Sequence, residues 1–191
     1  MSRYEVAPLA DTTRRRILDT ALELFSAQGF AATSTRELSE RLGFTKAALY
    51  YHFRTKDDLL QALVEPVMAQ LAALLDPFPA GAPPLDDVAR EHLLAAYLDV
   101  IVQHRRLLGV LVQDPSAASR PAMQAGRAFY ERLTALLVDP AGDHLAQRTR
   151  VRFVLGGLHA AVLFAEPGED IAMARADSLK AAYAVIGRRT A

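Results

Sequence analysis

The chain has 191 residues, of which 51% are hydrophobic, and its 22 Lys and Arg balance 22 Asp and Glu. This composition allows a real hydrophobic core to form, and the length suffices for one mid-sized domain or two small ones. The absence of cysteine excludes disulfides and thiolate metal sites. Because no signal-type or membrane-spanning apolar run is visible, we expect a cytoplasmic protein that makes no membrane contact.

The first predicted helix covers residues 12–28. Its apolar residues recur at helical spacing: Ile17, Ala21, Leu24 and Phe25. A short helix is predicted next, because Ser34 followed by Glu37 is typical of a capping box. Gly43 should end that helix in a left-handed conformation, and Thr45 should cap another helix that runs to about Tyr51. This pattern predicts two short helices joined by a tight turn.

A longer helix is predicted from Lys56 to Leu75, with Pro66 inside it. A proline there removes one hydrogen bond, so we expect a bend, which either wraps the core or acts as a hinge. Residues 76–85 read as a loop. Further helices follow over residues 86–103, 104–113, 120–138, 143–164 and 170–187. No strand pattern is present, and the fold class predicted is all-α with about nine helices.

The helix that begins at Thr45 has a surface composition suited to DNA. Two short helices that meet through a glycine turn are the helix-turn-helix form, whose second helix lies in the major groove. Ala47 and Ala48 allow a close approach, and an alanine methyl can contact a thymine methyl. The alternative is a glycine-linked helical hairpin that belongs to an ordinary core.

The motifs of this region resemble a known family. They are R-I-L-D-T-A-L-E-L-F-S-A-Q-G-F from Arg16, T-S-T-R-E-L-S-E-R-L-G from Thr33 and L-Y-Y-H-F-R-T-K-D-D-L-L from Leu49. Residues 14–63 resemble the DNA-binding domain of the tetracycline-repressor (TetR) family of transcriptional regulators. The chain departs from the family at Ala47 and Ala48, where many members carry glycine and a polar residue.

The two readings together predict the DNA contacts and the domains. Tyr50, Tyr51 and His52 are expected against phosphates, and Lys46 on a phosphate or a guanine edge. Lys56 is expected to bind one more phosphate with the free N–H groups of its helix. The full set of predicted contacts is Thr35, Arg36, Thr45, Lys46, Ala47, Tyr50, Tyr51, His52 and Lys56. We predict a DNA-binding domain over residues 1–56, which carry 9 Lys and Arg against 6 Asp and Glu, and a ligand-binding and dimerisation domain over residues 57–191.

The resemblance implies a small-molecule pocket among the middle helices. Candidate lining residues are Met68, Leu71, Tyr97, Ile101, His104, Met123, Phe129, His159 and Phe164. Core packing is the alternative for each of them. His104 and His159 stand out, because pockets commonly place a few polar groups in an apolar wall. The ligand expected is a mostly apolar small molecule.

The last two long helices are the candidates for a dimer interface, as a four-helix bundle between two subunits. The residues predicted there are Leu155, Gly156, Ala160, Leu179, Ala182, Tyr183 and Ile186. The alternative is that these residues close the core of one subunit.

These observations predict a repressor that binds a palindromic operator as a dimer and leaves it when a small molecule binds. A second hypothesis is a small-molecule or protein-binding helical module whose DNA-binding head is inactive. An enzyme is not predicted, because the sequence holds no Cys nucleophile, G-x-S-x-G, phosphate-binding loop or H-E-x-x-H motif. We expect no cofactor and no metal ion.

Overall fold

The computed structural model describes residues 6–79, 81–83, 85–118, 120, 124–138, 143–166 and 168–186. Within these ranges the chain forms ten helices and no strand, which confirms the all-α class. The helices are α1 (Val6–Gln28), α2 (Thr35–Leu42), α3 (Lys46–His52), α4 (Lys56–Leu75), α5 (Asp87–Gln103), α6 (Arg105–Gln113), α7 (Pro115–Ala118), α8 (Gln124–Leu137), α9 (His144–Leu163) and α10 (Ile171–Ile186).

Most predicted boundaries agree with the structure to within a few residues. Two differences concern α1, which begins six residues before the predicted start at residue 12, and the four-residue α7, which was not predicted. A single turn such as α7 carries no apolar periodicity, so sequence patterns do not reveal it. Asp114 precedes its first residue, and Asp114 Oδ1 accepts a hydrogen bond from Ser116 N at 3.0 Å.

Local capping determines where α2, α3 and α4 begin and end. Ser34 Oγ accepts from Glu37 N at 3.1 Å, and Thr45 Oγ1 accepts from Ala48 N at 3.2 Å. Gly43 ends α2 with φ +69° and ψ +28°, a left-handed conformation that glycine adopts without the steric cost of a Cβ atom. Thr55 and Asp58 form a reciprocal capping box at the start of α4. The predicted caps of α2 and α3 are therefore confirmed.

Contrary to the expectation from the sequence, one helix, α4, is long and apolar enough by composition to cross a membrane. It continues through Pro66. One face of the helix is nonetheless buried inside the protein, through Leu59, Leu60, Val64, Val67, Leu71 and Leu75. Such a face is typical of a core helix in a globular protein.

The chain divides into two compact units, and the division falls inside α4. The first, which we call the N-terminal unit, contains the described residues up to Pro66 and those between 109 and 123. The second, the C-terminal unit, contains the described residues between 67 and 108 and those from Gln124 onward. The boundary between residues 56 and 57 stays a prediction about functional domains.

The core of the N-terminal unit is formed by apolar faces of α1 to α4. The predicted inner face of α1 is buried, with Ile17 and Ala21 fully enclosed. Leu38, Leu49 and Phe53 pack from α2, α3 and the residue after α3, each at most 4% exposed. Since Leu49 and Phe53 face inward, the other side of α3 is left at the surface.

The C-terminal unit is built on α5, α8, α9 and α10, with α9 and α10 packed side by side. Leu98, Leu133, Leu137 and Leu155 are completely enclosed in its core. A buried polar group, Arg90 of α5, pairs with Asp87 one turn earlier.

Candidate nucleic-acid interface

Helix α3 presents a small, exposed and partly aromatic surface. Tyr51 is 85% exposed and Tyr50 is 44% exposed, while Leu49 between α3 and the core is 1% exposed. Lys46, Ala47 and Ala48 are exposed, and His52 is half-buried with its ring edge-on to Tyr51 at 5.2 Å. Tyrosine combines an apolar ring with a polar hydroxyl, and such side chains are common at surfaces that meet a partner.

Thr35 and Arg36 lie at the first turn of α2, beside α3. Thr35 Oγ1 is 3.5 Å from Tyr50 Oη, so the start of α2 and the exposed face of α3 meet at one edge. Arg36 Nε donates to Glu40 Oε1 at 2.8 Å, and this exposed ion pair raises the pKa of Arg36. The structure therefore brings the predicted contact residues of α2 and α3 onto one surface. On that surface the guanidinium of Arg36 is paired with Glu40.

The ammonium group of Lys56 is engaged inside the protein. Its Nζ donates to the backbone carbonyls of Phe30, Ala31 and Thr33 at 2.6, 3.2 and 2.9 Å. It also lies 4.4 Å from the centre of the Phe30 ring. Since an ammonium has three protons, these contacts use all of its donors. The sequence pattern missed this role, because the three carbonyls lie 23 to 26 residues before Lys56.

Two arginines of α1 also bind within the N-terminal unit. The guanidinium of Arg14 lies 5.0 Å above the Phe53 ring, and that of Arg16 lies 5.6 Å above the Phe44 ring. Arg16 also donates to the carbonyl of Leu42 at 3.3 Å, close to the turn between α2 and α3. These contacts attach α1 to both ends of α3 by cation–π attraction.

In the C-terminal unit, Tyr97, Phe129 and His159 form one aromatic cluster. Tyr97 is 2% exposed, stacks on Phe129 at 5.8 Å, and shares a hydrogen bond between its Oη and Nε2 of His159. Burial raises the pKa of Tyr97 and lowers the pKa of His159. Both side chains are therefore neutral near pH 7, and together they place one polar pair in apolar surroundings.

The other predicted pocket residues are dispersed. Leu71 and Ile101 are buried, and Met68 is half-buried. His104 Nε2 donates to Gln70 Oε1 at 2.9 Å, and burial lowers the pKa of His104. Phe164 is 56% exposed at the end of α9, and Met123 lies outside the described residues.

The residues predicted for a dimer interface separate into two groups. Leu155, Leu179 and Ala182 are at most 7% exposed, and they close the core of the single subunit, which was the alternative reading. Gly156 and Ala160 are exposed on α9. Tyr183 and Ile186 face α5 instead, where they line a cavity of about 330 Å³, and Tyr183 Oη donates to the carbonyl of Glu91 at 3.0 Å.

Four large apolar side chains exposed on or beside α9 and α10 were not among the residues predicted for the dimer interface. Phe153, Phe164, Met173 and Val185 are 71%, 56%, 63% and 38% exposed. They border two grooves between these helices, with volumes of about 160 and 400 Å³. We call this surface, defined by those four residues, the α9–α10 face.

The capped pair α2 and α3, its left-handed glycine turn and the exposed face of α3 define a helix-turn-helix protein. Residues 17–63 match the family model for bacterial regulatory proteins of the tetR family. Residues 17–63 are therefore similar to the corresponding segment of tetR-family regulatory proteins, the family that the sequence motifs resemble.

Two curated relatives carry the same segment. The chain is 38% identical over 101 residues to the HTH-type transcriptional regulator AcrR of Shigella flexneri. The aligned segment covers 52% of this chain and 46% of that protein. The chain is 46% identical over 55 residues to the tetracycline repressor protein class C of Escherichia coli, covering 29% and 25%. The chain thus spans less than half the length of either relative.

The fold extends beyond the matched segment. The TetR-family regulator PfmR of Thermus thermophilus superimposes with a TM-score of 0.68 over 92% of this chain and all of that one, at 22% identity. This likeness confirms the all-helical fold with an N-terminal helix-turn-helix.

Proposed function

We propose that this protein is a transcriptional regulator that binds DNA through α3. The observation that carries the proposal is the exposed face of α3, where Lys46, Ala47, Tyr50 and Tyr51 project from a helix held by two caps and a buried leucine. Small and aromatic residues beside a lysine suit the major groove, since they combine apolar contact with base edges and hydrogen bonds to phosphates.

A dimer supplies the second half-site. A single recognition helix contacts few base pairs, so useful specificity requires two copies one helical turn apart. The α9–α10 face supports a homodimer, because four large apolar side chains and two grooves lie together on adjacent helices. Gly156 and Ala160 are exposed on α9, and their small size permits close helix packing.

A mostly apolar small molecule is the proposed effector. The cluster of Tyr97, Phe129 and His159 supports this proposal, because it combines stacked rings with one neutral polar pair. An effector that prefers the conformation with lower DNA affinity by about 1–3 kcal/mol would weaken binding roughly 5- to 150-fold. The proposed protein is a cytoplasmic repressor that acts by binding its operator. It neither binds a membrane nor catalyses a reaction.

Selection of bound sequences from random duplex DNA tests the central step. The purified protein is incubated with the pool at about 0.15 M salt and with competitor DNA, since affinity depends steeply on salt. We expect one inverted repeat with half-sites about 10 base pairs apart.

Substitutions in α3 connect the selected sequence to the structure. Tyr50→Ala should lower affinity for the selected repeat without a change in thermal stability, because Tyr50 is exposed and the caps remain. Val88→Ala is the matched control, since Val88 is 62% exposed on α5. Failure of folded, dimeric wild-type protein to enrich any sequence would favour the alternative, a helical binding module with an inactive head. Unchanged affinity of Tyr50→Ala would instead remove Tyr50 from the interface.

A further inference from the structure

The turn between α1 and α2, residues 29–33, is held by a distant segment of the chain. Asp114, which follows α6, accepts a hydrogen bond at Oδ2 from Ala31 N at 2.8 Å. Its other oxygen, Oδ1, accepts from Ser116 N and from Ser116 Oγ at 3.0 and 2.6 Å. These bonds, the Ser116 hydroxyl first, lower the pKa of Asp114 to about 2, so the side chain is a carboxylate at neutral pH.

The same turn is held from its other side by α4. Lys56 donates to three of its carbonyls, as described above, and covers the Phe30 ring. The guanidinium of Arg120 lies 5.7 Å above that ring, and its Nη1 is 3.3 Å from Asp57 Oδ2. Asp114 and Arg120 thus act together with the first turn of α4 on one short segment.

The turn begins at a glycine whose backbone is left-handed and which lies beside Asp114. Gly29 has φ +87°, and a Cβ atom placed there would lie 3.4 Å from Asp114 Oδ2. The turn leads directly into Ser34, the N-cap of α2, and Thr35 next to it meets Tyr50 of α3. The position of residues 29–33 therefore determines where the first turn of α2 lies relative to α3.

We propose that Asp114 is a positioning residue for DNA binding: by holding the Ala31 amide it places the first turn of α2 for contact with the DNA backbone. The DNA-binding unit then includes a segment more than fifty residues beyond the matched residues 17–63. This inference rests on the proposed function, since it concerns the same surface. Asp114 itself is assigned no contact with DNA.

The sign of the effect separates positioning from electrostatics. Removal of one negative charge from a DNA-binding unit strengthens binding when long-range attraction is the only consequence. Loss of a positioning contact weakens binding, because the free protein then samples arrangements of α2 that do not fit the duplex. Asp114→Ala makes both changes, and we expect the second to dominate.

The experiment compares Asp114→Ala with Asp19→Ala, which removes an exposed carboxylate from α1 of the same unit. Affinity for the selected operator is measured by fluorescence anisotropy at several salt concentrations. We expect Asp114→Ala to bind about tenfold more weakly, as the loss of a hydrogen bond to a charged group implies. The slope of affinity against salt should not change, while Asp19→Ala should bind equally well or more tightly.

Asp114→Asn and hydrogen exchange keep the test decisive if the alanine variant is poorly folded. Asparagine retains one acceptor oxygen of the two that are used, so its affinity should lie between those of wild type and Asp114→Ala. Exchange of the Ala31 amide, followed by NMR without DNA, should accelerate in both variants while the helical content stays constant.

The outcomes distinguish this inference from the proposed function. If wild type binds DNA and Asp114→Ala binds equally well or more tightly, the positioning role is overturned and the proposed function stands. If wild type selects no DNA, the proposed function fails, and with it the DNA-binding role of Asp114. Unchanged exchange at Ala31 in the variants would show that Asp114 does not hold the turn.

Discussion

The two lysines of the N-terminal unit should behave in opposite ways when each is replaced by methionine. Lys46 is exposed at the start of α3, whereas Lys56 Nζ donates to three backbone carbonyls and contacts the Phe30 ring. Methionine keeps most of the length of the side chain and removes the charge and the donors. The comparison therefore separates a DNA contact from an internal anchor.

The magnitude for Lys56→Met follows from its contacts. A hydrogen bond from a charged donor contributes about 1.5–3 kcal/mol net. Because Lys56 is only half-buried, water can hydrogen-bond to the three carbonyls after the substitution. The net loss is therefore about that of a single charged hydrogen bond, or about 2 kcal/mol. For a chain of this length that loss lowers the melting temperature by roughly 4–8 °C.

Thermal unfolding and salt-dependent DNA binding together provide the assay. Lys46→Met should leave the melting temperature unchanged and reduce the slope of log affinity against log salt by about 1, because one phosphate contact is lost. Lys56→Met should lower the melting temperature and leave that slope unchanged. A Lys56→Met protein with normal stability and a reduced slope would refute this reasoning and support the phosphate contact that the sequence predicted.

Three further predictions concern other parts of the chain. Glu40→Gln should release Arg36 and strengthen binding to all DNA sequences in fluorescence anisotropy, and a gain of equal size in an Arg36→Ala background would contradict that competition. Burial lowers the pKa of His159, so as the pH falls below about 6.5 the unfolded chain binds a proton before the folded chain does, and the protein loses stability. His159→Gln should therefore make the free energy of unfolding depend less on pH in this range. Chemical denaturation from pH 5 to 7.5 measures that dependence. Phe153→Glu should convert a dimer into a folded monomer, measured by analytical ultracentrifugation; a dimer that persists would move the interface away from the α9–α10 face.

Much of the N-terminal unit was predictable because its signals are local. The caps at Ser34, Gly43 and Thr45 each act within about four residues, so residue type and spacing identify them before any tertiary contact is known. The outward face of α3 followed from the same logic, since Leu49 and Phe53 had to face the core.

The α9–α10 face was less predictable. Periodicity shows that a helix has an apolar stripe, but α9 and α10 carry apolar residues on more than one side. Leu155 and Phe153 are both large and apolar, yet one is 0% and the other 71% exposed. Which stripe closes the subunit depends on where α5 and α8 pack, and that is a property of the folded chain.

By itself, then, the sequence determined most of the helices, the caps of α2 and α3 and the kind of surface that α3 presents, because these depend on neighbours along the chain. The tertiary structure decided what the charged side chains do. Lys56 reaches back 23 to 26 residues to the turn after α1, and Asp114 reaches 83 residues to Ala31. No pattern along the chain records such distances, since they depend on the path of the backbone between the two residues.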